Sequence, residues 1–386
     1  MLRAYKYRIY PTMDQQEQMT KIFGSVRFVY NLGLETKMQA YASAKVNLTC
    51  FDLNNQVTDL KKEVIWLNEC PSQALQMTLR NLDNAYTKFF KGAGFPKFKS
   101  KHNRQSFQLP QHVKIDFDNN KIYLPKIKDV DIIIDKRFDG DIKTVTVSKT
   151  ATNKYYVSIQ VDNKKELPVK PSISEEASIG IDLGINDLVI LSDGAKYANP
   201  KHYQHAQKRL RVEQRTLSRR NKDSNRYKKQ KLVIAKLHEK IRNQRLDNIH
   251  KITTSITKKY DTIILEDLDV KGLIVNNTIS MSKAVSDASM FEFRRQFEYK
   301  TEWYGKNLLF IGRFDPSSKM CSSCGLINRE LKRSDKVWTC KCGIEHDRDV
   351  NAANNIKLFG LRNSLLKEVN KQNSPRVRTS SAKVGH

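Results

Sequence analysis

The sequence contains no apolar stretch able to span a bilayer. Its longest apolar runs, such as Leu188-Val189-Ile190-Leu191, fall far below the roughly 20 residues that a helical crossing needs. The opening Met1-Leu2-Arg3-Ala4-Tyr5-Lys6 has none of the apolar core of a secretion signal. No amphipathic anchor or lipidation signal is visible, so no membrane partner is expected. We therefore expect a cytoplasmic, nucleoid-associated protein. Cysteine is scarce. Of six, four lie between Cys321 and Cys342, while Cys50 and Cys70 stand alone. That pattern excludes a secreted disulfide scaffold. Acidic side chains are outnumbered: 41 Asp and Glu against 69 Lys and Arg, a formal net charge of +28. Internal repeats are absent.

What remains is a globular, very basic chain. Hydrophobic residues make up 39% of 386, enough for two or three domains with real cores. A surplus of +28 exceeds what solubility requires and destabilises the compact state by self-repulsion. A polyanion would neutralise it, and nucleic acid fits better than lipid.

Residues 2–10 alternate apolar and basic and predict a strand ended by Pro11. Residues 12–48 predict a helix, with Thr12 and Gln15 as a capping box. Pro71 to Phe90 is a second helix. Leu75, Leu79, Leu82, Ala85, Tyr86 and Phe89 form its apolar face, leaving Gln73, Gln76 and Arg80 off that face. Gly92 to Lys99 reads as a turn carrying aromatics and lysines. Six short strands between 105 and 162 suggest a small antiparallel barrel. Residues 163–176, with Pro168 and Pro171, read as a linker. A hairpin at Ser178–Leu183 and Leu188–Ser192 follows. Next come a basic helical stretch at 206–257, a strand at Thr262–Leu265, a helix at Ser289–Trp303 and a strand at Leu308–Phe314. Strands separated by helices indicate an α/β domain. The polar, basic residues 363–386 predict a disordered tail.

Three acidic positions stand where charge is unusual. Asp182 ends the run Ser178-Ile179-Gly180-Ile181, and Glu266 ends Thr262-Ile263-Ile264-Leu265, with Asp267 and Asp269 as neighbouring candidates. Asp347 and Asp349 precede Asn351-Ala352-Ala353. An unpaired buried carboxylate is costly, and a divalent cation removes that cost by taking the carboxylates as ligands. Two-metal phosphodiester cleavage needs carboxylates converging from different elements, holding two Mg²⁺ about 4 Å apart. Oxygen-rich ligation selects Mg²⁺ or Mn²⁺ over zinc. Cys321, Cys324, Cys340 and Cys342 read as a structural zinc site. The second pair has a single intervening residue, so His346 is an alternative fourth ligand. The basic stretch, including Arg219, Arg220, Lys228 and Lys229, reads as a phosphate-binding surface, with Lys97 and Lys99 as a second one.

The order Gly180-Ile181-Asp182-Leu183-Gly184, Leu265-Glu266-Asp267-Leu268, Cys321-Ser322-Ser323-Cys324-Gly325 and Asp347-Arg348-Asp349-Val350-Asn351-Ala352-Ala353 resembles TnpB. That family comprises transposon-encoded RNA-guided nucleases related to type V CRISPR effectors. Trp66-Leu67, Pro71-Ser72-Gln73, Gly94-Phe95-Pro96-Lys97-Phe98-Lys99 and Tyr299-Lys300-Thr301-Glu302-Trp303 extend the resemblance over residues 1–360. It implies an α/β plus α+β architecture. A wedge-like β-barrel would comprise 1–10 and 100–172, and a helical recognition domain 11–99. An RNase H-like RuvC nuclease domain would comprise 173–205, 256–310 and 346–362, with a basic helical insertion at 206–255 and a zinc ribbon at 311–345. Asp182, Glu266 and Asp349 match the family's catalytic positions. A guide RNA and target double-stranded DNA are the implied partners, with a short target-adjacent motif read by the N-terminal lobe. Gln73, Gln76 and Arg80 are candidates for that reading, since glutamine can pair bidentately with adenine. An RNA-guided repressor without cleavage, or an unguided transposase, would be the alternatives. Oligomeric state is left open.

Overall fold

The computed structural model describes residues 1–276, 278–332 and 334–373. The chain divides into two compact units, Met1–Glu166 and Leu167–His386. The division falls inside the proline-bearing stretch read as a linker.

In the first unit, β1 (Leu2–Tyr10) is followed by α1 (Met13–Ala44), α2 (Cys50–Glu63) and α3 (Ser72–Phe90). Helix α1 starts at the expected capping box: Thr12 N–H donates to Gln15 Oε1 at 3.0 Å, and Gln15 N–H donates to Thr12 Oγ1 at 3.4 Å. Met19, Ile22, Phe23, Val26, Val29 and Leu34 of α1 are buried in one cluster with Leu75, Leu79 and Leu82 of α3. Buried Lys37 on α1 is held by Asp83 at 3.0 Å. Helix α2 had no counterpart in the sequence reading. Leu53 is its one fully buried residue, so its apolar period was weak.

The strands β2 (Gln105–Leu109), β3 (Lys114–Asp116), β4 (Lys121–Leu124), β5 (Lys128–Ile133), β6 (Asp141–Lys149) and β7 (Tyr155–Asp162) join β1. They form one seven-stranded antiparallel sheet in the order β2-β6-β7-β1-β5-β4-β3. The predicted barrel is this curled sheet. Tyr155, Val157, Ile159 and Val161 face the core along β7, and the residues between them are more exposed.

The second unit contains β8 (Ser178–Asp182), β9 (Asp187–Leu191), β10 (Lys196–Ala198), β11 (Thr262–Glu266) and β12 (Asn307–Ile311). Their order is β10-β9-β8-β11-β12. The first three strands are antiparallel, and β11 runs parallel to both β8 and β12. An antiparallel meander continued by parallel strands in this order is the expected RNase H-like sheet. Strand β12 ends earlier than predicted, at Ile311, because Gly312 starts a turn in which Asp315 accepts from its N–H at 2.8 Å.

Helices α4 (His202–Ser218) and α5 (Asn225–Lys259) separate β10 from β11. Helices α6 (Val270–Val275), α7 (Ile279–Ala288) and α8 (Met290–Tyr304) separate β11 from β12. One face of the sheet buries Ile179, Ile181, Ile263 and Leu265 with Ile249, Ile252 and Ile256 of α5 and Phe293 and Phe297 of α8. The opposite face packs Ile264 and Ile311 against Ile356 of α9 (Arg348–Asn373).

The hairpin of β13 (Val337–Thr339) and β14 (Glu345–Asp347) lies between β12 and α9. Helix α9 corrects the predicted tail. Residues 363–373 continue it, because extending a helix already anchored by its buried first turns is far easier than nucleating one. The remainder of the predicted tail, 374–386, lies outside the described residues. Among the described residues, no helix is long and apolar enough to cross a membrane.

Candidate active site and cysteine cluster

Side chains alternate along a strand, so Asp182 shares the face of Gly180, and Glu266 shares the face of Ile264. That face is the one α9 covers. Asp349 lies in the first turn of α9. The helix comes very close to the sheet: a Cβ on Gly180 would stand 2.1 Å from the Ala353 carbonyl oxygen. Glycine at 180 and the small Ala352 and Ala353 permit this approach. The same approach brings the first turn of α9 to the carboxyl end of β8.

The electrostatics follow. Burial, then repulsion from Asp349 and Glu266, pushes Asp182 up to about 7 from an ordinary 3.8, with Arg348 opposing. Glu266 is also raised, by burial first and then by Asp315 and Asp267. A cation would reverse both shifts. Oxygen donors of this kind suit a hard divalent ion.

Asp182 and Asp349 line a cleft of 650 Å³ together with Asn186, Asp187, Lys336 and Arg348. Glu266 lines an adjoining cleft of 450 Å³ with Asp267, Arg294 and Arg313, and Leu183 borders both. The three carboxylates do not come within mutual ligand distance. Among the described residues, the cysteines form the only such group of three or more potential ligands. Cations already engage Asp349: Arg348 at 2.7 Å and Lys336 at 3.3 Å. Sequence reasoning missed both partners, although Arg348 sits between the two aspartates of the motif.

Asp347 has a different task. Its Oδ1 accepts from the Asp349 and Val350 N–H groups at 3.1 and 3.0 Å, capping α9, and Lys196 pairs with its Oδ2. Burial alone would raise its pKa, but Lys196 and these amides hold it below the usual carboxylate range. Asp267 pairs with Arg294. Asp269 caps α6 by accepting from Gly272 N–H at 3.0 Å.

All four cluster cysteines come together, their sulfurs within 4.8 Å of one another. Cys321 Sγ lies 3.8 Å from Cys342 Sγ, and Cys324 Sγ lies 3.6 Å from Cys340 Sγ. A tetrahedral thiolate zinc with bonds of about 2.3 Å needs sulfurs about 3.8 Å apart, so the set fits that ion. The short Cys340-Lys341-Cys342 spacing therefore still delivers both sulfurs. His346 stands beside this set of four sulfurs. Its Nε2 lies 3.0 Å from Cys321 Sγ, and its ring packs on Trp338.

Two asparagines bind this cluster to α9. Asn351 Nδ2 donates to the Met320 carbonyl at 2.7 Å, and its Oδ1 accepts from Ser322 N–H at 2.9 Å. Asn355 donates to the Ser317 carbonyl at 2.7 Å. The sequence signal was available: buried asparagines four apart on a helix need partners on one side.

Gln76 and Arg80 are exposed on α3, and Gln73 is bonded to Gln111 at 2.9 Å. Lys97 is exposed, while Lys99 Nζ sits 3.7 Å above the Tyr30 ring. Arg219, Lys228 and Lys229 are exposed around the α4–α5 turn, where Arg220 donates to the Arg226 carbonyl at 2.6 Å.

An RNase H-like sheet with carboxylates at the ends of β8 and β11 and in the first turn of α9 defines a RuvC-like nuclease domain. The comparisons with known proteins agree. Residues 156–277 match the OrfB_IS605 family model, described as "Probable transposase", and residues 291–356 match the Cas12f1-like TNB domain. Residues 1–45 match a model described as "Helix-turn-helix domain", although here they form β1 and one helix of 32 residues.

A Streptomyces pristinaespiralis protein named "Putative RNA-guided DNA endonuclease" is 36% identical over 368 residues, covering 93% of this chain and 89% of that protein. "Putative RNA-guided DNA endonuclease InsQ" of Escherichia coli K12 is 34% identical over 376 residues, covering 93% and 92%. A solved Cas12f1 structure, from a complex with sgRNA and target DNA, shares the fold with a TM-score of 0.55 at 13% identity, covering 92% of this chain and 98% of that one. The chain belongs to the TnpB family.

Proposed function

We propose that this protein is an RNA-guided DNA endonuclease. A transposon-derived RNA occupies its basic surfaces, and a short target-adjacent motif licenses pairing of that RNA with one DNA strand. The observation that carries the reading is the placement of Asp182 and Glu266 at the ends of paired parallel strands, on the face covered by the helix whose first turn carries Asp349. Two relatives named as RNA-guided DNA endonucleases, each matched over nine-tenths of this chain, support it.

Asp182, Glu266 and Asp349 would hold Mg²⁺ or Mn²⁺. A divalent ion bound there supplies Lewis acidity and a water of lowered pKa. Arg348 and Lys336 hold Asp349 in place and would be drawn toward a bound phosphodiester once a cation takes over that carboxylate. Cys321, Cys324, Cys340 and Cys342 would hold a structural zinc. In this scheme residues 1–10 and 100–172 form the wedge and 11–99 the recognition domain. Residues 173–205, 256–310 and 346–362 form the nuclease domain, 206–255 serve as the basic insertion, and 311–345 form the zinc ribbon. Gln73, Gln76 and Arg80 read the adjacent motif. Lys97, Lys99, Arg219, Arg220, Lys228 and Lys229 take phosphates.

The test is to sequence the RNA that copurifies with the chain, and then to offer plasmids bearing the matching target beside a randomised motif, with Mg²⁺ or with EDTA. Cleavage should require the RNA, the match and the metal. Asp182→Ala, Glu266→Gln and Asp349→Ala should each abolish cutting while guided binding persists, whereas Asp347→Ala, which removes a cap of α9, should slow cutting without abolishing it. Guided binding without cleavage in the unmodified chain would instead identify a repressor. Cleavage independent of RNA would identify an unguided enzyme.

A further inference from the structure

We infer that the end of α3 and the loop following it form a stacking platform for the unpaired bases of a single-stranded polynucleotide. The inference rests on the nucleic-acid reading above, but assigns it a surface that charge alone does not reveal. Phe90, Phe95 and Phe98 are 75%, 43% and 51% exposed. Three phenylalanines left open within nine residues forgo the gain of burial, and exposed apolar surface rimmed by polar residues marks binding sites.

The patch is braced. Phe95 packs edge-on against Phe89 at 5.2 Å and Tyr86 at 5.6 Å, and Phe89 contacts Phe90 at 5.3 Å. Gly92, at φ +90°, turns the chain sharply enough to bring the loop back onto the helix end. Both main-chain groups of Lys99 are bonded to Asn31 of α1, at 2.7 and 3.0 Å. The rings are therefore presented from a fixed frame.

The surrounding charge selects the partner. From Asn84 to Ile115 there is no acidic residue, while Lys88, Lys91, Lys97, Lys99, Lys101 and Arg104 all lie in that stretch. A lysine-rimmed surface is poor for protein docking, because lysine is depleted from protein interfaces. It suits a polyanion. Base faces are available to aromatic rings only when the bases are unpaired, which favours single strands over duplex. Phenylalanine carries no hydrogen-bonding group to read a base or a 2′-hydroxyl. The platform should accordingly be indifferent to base and to sugar.

The experiment uses the full chain and a short oligothymidylate substituted with 5-iodouracil. Irradiation should crosslink the probe to the peptide carrying Phe90, Phe95 and Phe98. The pair Phe90→Leu and Phe98→Leu, which keeps the residues apolar but removes the rings, should lose that crosslink. It should also weaken binding of the single strand about fivefold or more. The slope of log affinity against log salt should stay unchanged, since no counterion contact is removed. Phe90→Trp with Phe98→Trp should retain binding. Lys91→Gln with Lys101→Gln should flatten the slope.

Crosslinks found only outside residues 86–101, or unaltered single-strand affinity in the leucine pair, would overturn the inference. So would a leucine pair whose only change is loss of self-association, which would mark a protein interface. Loss of programmed cleavage in the unmodified chain with the crosslink intact would count against the nuclease reading alone.

Discussion

Replacing Gly180 with alanine should separate catalysis from binding without touching a single acidic residue. The added Cβ would lie 2.1 Å from the Ala353 carbonyl oxygen, 2.6 Å from the Lys357 nitrogen and 2.9 Å from Lys357 Cβ. The first two are backbone atoms of α9 and cannot rotate aside. Real Cβ atoms essentially never come within 3.0 Å of such neighbours, so α9 must lift from β8 by the order of 1 Å. Overpacking of this kind costs about 1–3 kcal/mol, and the melting temperature should fall accordingly. Asp182 is two residues from the clash on one side, and Asp349 is four residues from it on the other. A displacement of about 1 Å between catalytic groups costs on the order of 100-fold in rate. Single-turnover cleavage of a guided plasmid should therefore slow about 100-fold, while RNA affinity stays at its starting value. Gly24→Ala on α1 is the control, because nothing lies within 4 Å of a Cβ there and helical Ala is preferred to Gly. If the Gly180 variant cuts at the unmodified rate, α9 does not position Asp349 as argued.

The raised Asp182 carboxyl makes a pH prediction. Between the ordinary 3.8 and about 7, the folded state keeps a proton that the unfolded chain has lost, so without divalent ions stability must fall as pH rises through that window. The fall is at most about 4 kcal/mol, and denaturant titrations of Asp182→Asn in EDTA should show that contribution gone. Elemental analysis should find one zinc per chain. Cys321→Ser or Cys324→Ser should release it and lower the melting temperature, whereas His346→Ala should keep it; zinc lost with His346 and kept without Cys342 would reverse the ligand assignment. Neutralising Arg219, Arg220, Lys228 and Lys229 together should flatten the salt dependence of RNA affinity and weaken binding to all sequences alike. An unchanged slope would mean that the α4–α5 turn faces solvent in the complex.

Much of this architecture was legible because its signals are local. The alternation along β1 and β7, the capping box at Thr12 and the apolar face of α3 each follow from a short window of sequence. The strands that end in Asp182 and Glu266 were readable because an acid closing a β-branched run is rare. Helix α2 was not readable, since only Leu53 is fully buried and a single apolar anchor gives no period. The end of α9 was misread for the opposite reason. Polar residues 363–373 look solvated taken alone, but they extend a helix anchored by buried Ala353 and Ile356 two to three turns earlier. The pairing of Asp349 with Lys336 was invisible because Lys336 reaches it through tertiary structure.

The choice between Asp347 and Asp349 shows where sequence stops and geometry begins. Both aspartates precede the same helix, and either could cap it or bind metal. A residue just outside the first turn has its side chain directed back at the free N–H groups, and Asp347 gives those groups one oxygen and Lys196 the other. Both of its oxygens are thus committed to holding the helix start. Asp349, two residues on, is already helical, and among the described residues its oxygens meet the cations Arg348 and Lys336. Those partners are side-chain charges, which a divalent ion can replace without unwinding the helix. Displacing Asp347 would uncap α9, whereas displacing the cations from Asp349 would leave its backbone untouched. The same two-residue offset that makes Asp347 the cap turns Asp349 toward the end of β8, where its charge raises Asp182.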